Sequence, residues 1–154
     1  MSAKPSHPPL HHGIFSQVYL IDGNIVRKFP EESTYPEDPT IAIRNEKVAY
    51  KQIDNHPRIT KWIPSDGYDY IDLEYYPNGN ILDYLNQHRD HIPPALVAQW
   101  GSQIIESVIV IHAKDIIHSD LNLKQIMLDE NFNARLSDLM RRLVWGNQHL
   151  GTKR

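Results

Sequence analysis

The stretch that decides the fold is His118-Ser119-Asp120-Leu121-Asn122-Leu123-Lys124-Gln125, which runs directly into the apolar triplet Ile126-Met127-Leu128. A second aspartate follows thirteen residues after Gln125, in Ser137-Asp138-Leu139-Met140. Around these residues short apolar runs alternate with polar ones, a pattern that predicts a loop and two small strands. A single aspartate in such a place is more often a surface charge or a helix cap. The two aspartates therefore indicate a functional site only in combination with the rest of the sequence.

The segment before this loop is predicted to be helical. In ALVAQWGSQIIESVIVIH (residues 95–112), large apolar residues recur at spacings of four, four and three, so one face of the helix should be buried: Trp100, Ile104, Val108 and Ile111. ILDYLNQH (residues 81–88) is typical of a shorter helix, and Pro93-Pro94 can begin the longer one. The second half of the chain is thus predicted to be mainly helical.

The first half instead has the pattern of strands with one helix. Two extended runs in FSQVYLIDGNIVRKF (residues 15–29) meet at Asp22-Gly23, a dipeptide suited to a tight hairpin. A second hairpin is predicted where ITKWIP (59–64) and YDYIDLEYY (68–76) flank three turn residues. Between the hairpins, IAIRNEKVAYKQI (41–53) predicts a helix that ends before His56-Pro57, with these residues sharing one face: Ile43, Val48, Tyr50 and Ile53.

Composition narrows the classes of function. The chain has 154 residues with 40% hydrophobic content, enough for one compact domain or two small lobes that share a cleft. A net charge of −3 gives no general attraction to nucleic acid, and the absence of cysteine excludes disulfides and thiolate metal sites. Residues 1–9, with three prolines, predict a flexible lead-in without a secretory signal. We expect no membrane-crossing run and an intracellular location, cytoplasmic or nuclear.

Phosphoryl transfer needs a cover over the phosphates, a cation, carboxylates or amides for magnesium and a carboxylate that positions the attacking hydroxyl. Residues 10–19 (LHHGIFSQVY) align without gaps to the glycine-rich loop of protein kinases, which this chain resembles. Of the three glycines only the middle one, Gly13, is kept. His11 and Ser16 stand at the other two positions, where a side chain hinders the close approach of backbone to phosphate.

The next strand resembles the V-A-I-K motif of the same family. Its residues are Ile25-Val26-Arg27-Lys28, and Glu46 on the predicted helix lies at the family's spacing. The resemblance implies that Lys28 contacts the α- and β-phosphates of ATP and pairs with Glu46.

Residues 72–79 (DLEYYPNG) resemble the hinge of a protein kinase. The resemblance implies that Leu73 is the gatekeeper and that backbone groups of Glu74 and Tyr76 face adenine. It also places five further residues around the nucleotide: Leu10, Gly13, Val18, Val26 and Met127.

The strongest similarity lies in residues 118–125, which align to the catalytic loop H-R-D-L-x-x-x-N. Asp120 is then the catalytic aspartate. Asp138 stands at the spacing of D-F-G and is expected to hold Mg²⁺ that bridges the phosphates, with Gln125 as a second metal ligand. The implied reaction is transfer of the ATP γ-phosphate to protein hydroxyls, of serine/threonine type, with an unknown protein substrate.

The implied fold is α+β and protein-kinase-like. An antiparallel small lobe with one helix is expected over residues 10–76, and a partial, mainly helical large lobe with the catalytic loop over residues 77–140. The family continues with an activation segment, an A-P-E motif and further helices. Residues 141–154 resemble none of these and form an atypical basic tail, so the large lobe is expected to be truncated and the long helix to expose Trp100 or its apolar neighbours.

Four departures from the family's motifs leave two alternatives open. Gln125 replaces an asparagine and moves the amide oxygen outward by one methylene, Asn122 replaces a lysine, Ser119 an arginine and Met140 a glycine. The substitutions His11, Ser16, Gln125 and Asn122 favour a pseudokinase or an inactive interaction fragment. The run His118-Ser119-Asp120 also resembles the loop of small-molecule phosphotransferases of the aminoglycoside or choline kinase type.

Overall fold

A five-stranded antiparallel sheet with one helix forms the first part of the fold. The computed structural model describes residues 3–13, 15–31 and 38–139. Five strands form the sheet, in the order β1-β2-β3-β5-β4: β1 (His11–His12), β2 (Ser16–Asp22), β3 (Ile25–Pro30), β4 (Trp62–Ile63) and β5 (Ile71–Glu74). Helix α1 (Pro39–Ile53) lies between β3 and β4 in the sequence. Both predicted hairpins are confirmed.

The register of the sheet places one row of side chains opposite the helix. Val18 of β2 is paired with Lys28 of β3, which is paired in turn with Ile71 of β5. Directly opposed residues of antiparallel strands lie on the same face, so this row and its neighbours Val26 and Leu73 share one face. That face packs against α1 in the hydrophobic core.

Helix α1 begins with two sequence signals and buries three of the four residues predicted for its buried face. Asp38 caps it by accepting a hydrogen bond from Thr40 N–H at 2.9 Å, and Pro39 follows. The prediction for Val48 is wrong, because this side chain is 52% exposed. Five residues of an α-helix turn through about 500°, which sets Val48 roughly opposite Ile43. The buried residues are Ile43, Glu46, Ala49, Tyr50 and Ile53.

The second part of the fold is mainly helical, as predicted. It contains α2 (Ile81–Gln87), α3 (Pro94–His112), a 3₁₀ helix (Leu123–Gln125) and the hairpin of β6 (Ile126–Leu128) and β7 (Ala134–Leu136). Helix α3 packs against this hairpin with a face that is partly polar. Trp100 Nε1 donates to Phe132 O at 2.8 Å, and Gln103 Oε1 accepts from Ala134 N–H at 2.7 Å.

The opposite side of α3 is exposed and apolar. Trp100 is 3% exposed, whereas Val97, Ile105 and Ile109 are 49%, 63% and 62% exposed. With 19 residues and a mean hydropathy of 1.3, α3 is long and apolar enough to cross a membrane by length and composition alone. The prediction that no run has this length is therefore wrong, because the scattered glutamines and serines lower the average too little. In this fold α3 buries Gln103 and Ser107 against its neighbours.

The segment after α1 joins the two parts. Ile59 forms a parallel bridge with Leu136 of β7. Thr60 N–H donates to Leu136 O at 2.9 Å, and Leu136 N–H donates to Arg58 O at 2.8 Å. This ladder carries the residues that follow β7 to the face of the first sheet on which α1 lies. Met140, the basic tail 141–154, Ile14 and residues 32–37 lie outside the described residues.

Candidate functional site

Lys28 is the centre of a buried cluster of charges. Its Nζ lies 2.7 Å from Glu46 Oε2 and 2.5 Å from Asp138 Oδ1. The Lys28 and Glu46 side chains are 8% and 1% exposed, and Asp138 is 22% exposed. Strand β3, helix α1 and the segment after β7 thus each contribute one residue. Three residues singled out from the sequence meet within hydrogen-bond distance.

The electrostatics of this cluster keep Lys28 and Asp138 charged. Burial opposes the charged form of Lys28, but the carboxylates of Glu46 and Asp138 raise its pKa above the usual range. Burial would likewise raise the pKa of Asp138, and the ammonium of Lys28 holds it below the usual range instead. For Glu46 burial is the larger effect and raises the pKa. The Lys28 ammonium therefore lies between two carboxylates, and its third proton has no partner among the described residues.

The loop with Asp120 is attached to the segment that carries Asp138. His118 Nδ1 accepts from Asp120 N–H at 3.2 Å, so its other nitrogen, Nε2, carries the proton and donates to Ser137 O at 2.9 Å. Ser137 N–H donates to Gln125 O at 2.8 Å. The carboxylate of Asp120 is exposed, and its only described side-chain contact is a long one of 3.5 Å from Gln125 Nε2. Asp120 Oδ atoms are thus available to a substrate.

Asn122 has a role in this loop that sequence reasoning missed. Its Oδ1 accepts from Lys124 N–H at 2.9 Å and caps the 3₁₀ helix, while its Nδ2 donates to Asp120 O at 3.1 Å. Asparagine commonly makes such bonds to the backbone two residues on, and this signal was readable in the sequence. Asn122 therefore holds the backbone of Asp120 in place.

The predicted cover over the cleft is a tight turn. Gly13 N–H donates to Ser16 O at 2.8 Å, and a Cβ on Gly13 would lie only 3.2 Å from that oxygen. Leu10 N–H donates to Val18 O at 2.7 Å. Val18 and Val26 lie on the same face of the sheet as Lys28, where Val26 is buried. Leu10 is 52% exposed at the edge.

The residues predicted to face adenine lie at the junction of β5 and α2. Leu73 is buried, and Glu74 N–H donates to Lys61 O at 2.9 Å. Tyr76 O accepts from Gly79 N–H at 3.0 Å, whereas Tyr76 N–H has no partner among the described residues. Met127 of β6 is half-buried and forms a bridge with Asn80. A ligand here would meet Tyr76 N–H and the side chains of Leu73 and Met127.

The described part of the chain also has an open cavity of about 450 Å³ on the outer side of α1. It is lined by residues of α1 and of the β4–β5 connection, among them Arg44, Lys47, Lys51, Trp62 and Tyr68. None of the residues of the Lys28 cluster lines it. This cavity is therefore separate from the candidate site.

Comparison with known proteins agrees with the geometry. The family model described as "Protein kinase domain" matches residues 10–143. The human testis-specific serine/threonine-protein kinase 4 is 32% identical over 83 residues, which are 53% of this chain and 25% of that protein. The mouse cAMP-dependent protein kinase catalytic subunit PRKX is 29% identical over 99 residues, 62% of this chain and 27% of the relative.

A third relative covers more of the chain. The probable serine/threonine-protein kinase MARK-C of Dictyostelium discoideum is 26% identical over 140 residues, 84% of this chain and 18% of that protein. The chain thus spans about a quarter or less of the length of these relatives. Its family is nevertheless settled by a match that covers the sheet, the Lys28 cluster and the Asp120 loop. This chain is a member of the protein kinase domain family.

Proposed function

We propose that this chain binds ATP with Mg²⁺ and transfers the γ-phosphate to a hydroxyl group of a protein, as a kinase domain of serine/threonine type. The observation that carries the proposal is the meeting of Lys28, Glu46 and Asp138 in one buried cluster. An exposed carboxylate, Asp120, stands on a loop bonded to the same segment as Asp138. The serine/threonine type is supported by the three relatives named above.

Each residue of the site has a role in this proposal. Lys28 uses two of its three protons on Glu46 and Asp138, so the third can bind a phosphate oxygen. Val18, Val26, Leu73 and Met127 offer apolar walls for adenine. Asp120 accepts the proton of the attacking hydroxyl and orients it.

The donor set fits magnesium. Mg²⁺ is commonly held by one or two carboxylates together with phosphate oxygens and waters. Asp138 offers a carboxylate and Gln125 an amide, while the described residues contain no group of three or more His, Cys, Asp or Glu side chains that could hold a metal on their own. When bound, the ion would neutralise charge on the phosphates.

Nucleotide binding is tested by thermal unfolding of the full chain with ATP, with and without Mg²⁺. A ligand that binds only the folded state stabilises it by about 2.7 kcal/mol at a hundredfold excess over Kd. We expect ATP with Mg²⁺ to raise the melting temperature. No shift up to millimolar ATP would contradict the proposal at its first step.

Transfer is tested with ATP labelled on the γ-phosphate and generic protein acceptors. Asp120→Asn should abolish transfer while ATP still raises the melting temperature, because Asp120 acts on the acceptor hydroxyl. Asp115→Asn, in the turn after α3, is the matched control and should leave both unchanged. Transfer by the Asp120→Asn variant would remove Asp120 from its role.

A pseudokinase is the second candidate, and one contact favours it. Gln125 Nε2 points to Asp120 Oδ2, so its amide has to turn before its oxygen can reach a metal ion. The transfer experiment separates the two candidates, because a pseudokinase gives no labelled product. A pseudokinase also binds nucleotide weakly or not at all. Transfer to amino alcohols or aminoglycosides would instead support a small-molecule phosphotransferase. The intracellular location stays a prediction.

A further inference from the structure

His11 lies in the same row of side chains as Lys28. His11 of β1 is paired with Val18 of β2, and Val18 is paired with Lys28 of β3. Opposed residues of antiparallel strands project from the same face. The imidazole therefore projects from the face that carries the Lys28 ammonium, two strands away, which is about 10 Å between Cβ atoms.

Local contacts place the His11 ring close to Gly13. Leu10 N–H also donates to Val18 O, so Leu10 and His11 together oppose Val18 as in a β-bulge, a feature that re-aims side chains at the edges of sheets. His11 Nε2 lies 4.0 Å from the point that a Cβ on Gly13 would occupy. The electrostatic interaction with His11 is a smaller contribution to the lowered pKa of Asp138, after those of Lys28 and His118. The ring thus lies beside the Gly13 turn, on the face of the sheet that carries Lys28.

The side chain of His11 makes no hydrogen bond or ion pair within the described part of the chain, and it is exposed. Its neighbour His12 is also exposed but differs in its contacts. Strand alternation sends His12 to the other face, where its Nε2 lies 2.8 Å from Gln17 Nε2 and 3.9 Å from Glu31 Oε1. One of two adjacent histidines is therefore occupied by contacts within the chain, and the other faces the cleft.

We propose that His11 is a phosphate ligand of the bound nucleotide. One ring N–H of His11 donates to a phosphate oxygen, on the same face of the sheet as Lys28 but two strands away. At this position the resemblance to the glycine-rich loop predicts a glycine, which has only a backbone N–H to offer. The inference rests on the proposed nucleotide binding and goes beyond it by assigning a side chain to the phosphates. It also reverses the expectation that His11 hinders phosphate.

The two roles of His11 predict opposite effects of one substitution. If the ring binds phosphate, His11→Gly and His11→Ala weaken the binding of ATP and ADP by about tenfold or more, the usual effect of one hydrogen bond to a charged group. If the ring only obstructs, His11→Gly tightens ATP binding. Adenosine, which has no phosphate, is bound equally by all variants in the first case.

The experiment is isothermal titration of the full chain with adenosine, ADP and ATP in the presence of Mg²⁺. His12→Ala is the matched control and should bind all three compounds like the unchanged protein. The melting temperature without ligand shows whether each variant is folded. ATP affinity that is unchanged or increased in both His11 variants would overturn the inference, and so would an equal loss for adenosine and ATP.

Failure of the proposed function gives a different result. If the unchanged protein binds none of the three compounds, nucleotide binding itself is refuted, and the role of His11 falls with it. If the unchanged protein binds ATP and the His11 variants bind it equally well, only the role of His11 is refuted.

Discussion

Lys28 is a buried lysine whose charge is compensated by two neighbouring carboxylates. A buried ammonium without partners is strongly unfavourable. Such a lysine would lose its proton, or the protein would unfold. Here two carboxylates reach the same nitrogen. Removal of one partner leaves a buried charge incompletely compensated, whereas an exposed ion pair contributes little to stability.

We therefore expect Glu46→Ala to destabilise the fold by about 3 kcal/mol or more. The control is Glu106→Ala, because Glu106 also bonds a cation, Arg58 Nε at 2.7 Å, but is 51% exposed. That change should cost less than about 1 kcal/mol. Urea unfolding measures both. Equal losses for the two variants would show that the Lys28 cluster contributes no more to stability than a surface pair.

Asp129 gives a prediction of pH dependence. Burial would raise its pKa, but Asn133 N–H at 2.9 Å, the Arg135 guanidinium at 3.1 Å and Asn131 N–H at 2.9 Å together hold the pKa below its usual value. A folded pKa below the unfolded value of about 3.9 means that the stabilisation is complete above about pH 4. It is lost as the pH falls through the folded pKa.

The measurement is the melting temperature between about pH 2 and pH 7. The unchanged protein should lose stability at the acid end, and Asp129→Asn should be less stable at neutral pH and lose less of its stability below about pH 4. An Asp129→Asn variant with the same acid slope as the unchanged protein would contradict this role of Asp129.

At the scale of elements, the sequence predicted the helices and strands that are specified by local signals. The Asp22-Gly23 dipeptide predicted the β2–β3 hairpin, and the recurring apolar residues predicted α3. The burial of Gln103 and Ser107 was not predictable from apolar spacing, because their amide and hydroxyl groups are bonded to the β6–β7 hairpin and to the backbone of α3. The same limit explains α1, where the buried side includes the charged Glu46 and excludes Val48.

Two substitutions in α1 test which face is buried. Ile43 is 1% exposed, so Ile43→Ala should destabilise the fold by about 2–5 kcal/mol. Val48→Ala should change stability by less than about 0.5 kcal/mol and in the stabilising direction, since alanine has the higher helix propensity. Thermal unfolding decides between them. A large loss with Val48→Ala would show that Val48 is packed, as predicted from the sequence.

At the scale of the whole molecule, the site depends on pairing that no local signal predicts. Lys28 and Asp138 are 110 residues apart in the sequence, and only the resemblance to a family placed both at one nucleotide. The ladder from Arg58, Ile59 and Thr60 to Leu136 brings Asp138 to Lys28. Periodicity predicted β7 as a small strand but gave no partner for it in the first part of the fold.

The exposed side of α3 is also a property of the whole molecule. Val97, Ile105 and Ile109 recur at spacings of eight and four, so they form one stripe along the helix. Contiguous apolar surface favours association. We expect Ile105→Lys combined with Ile109→Lys to reduce self-association in sedimentation velocity and to leave the melting temperature nearly unchanged.

Lysine at a buried position of the same helix is the control. Ile111 is fully buried, so Ile111→Lys should unfold the protein instead of reducing its self-association. If the double variant loses as much stability as Ile111→Lys, then Ile105 and Ile109 are packed in solution and the stripe is not exposed there.

The separation between Lys28 and Asp138 also sets an order of events during synthesis. All strands of the five-stranded sheet and α1 lie between residues 11 and 74, so their hairpins can form while later residues are still being added. The cluster needs Asp138, and closing so long a loop is entropically unfavourable and slow compared with hairpin formation. We therefore expect Lys28 and Glu46 to gain their third partner only after the five-stranded sheet has formed.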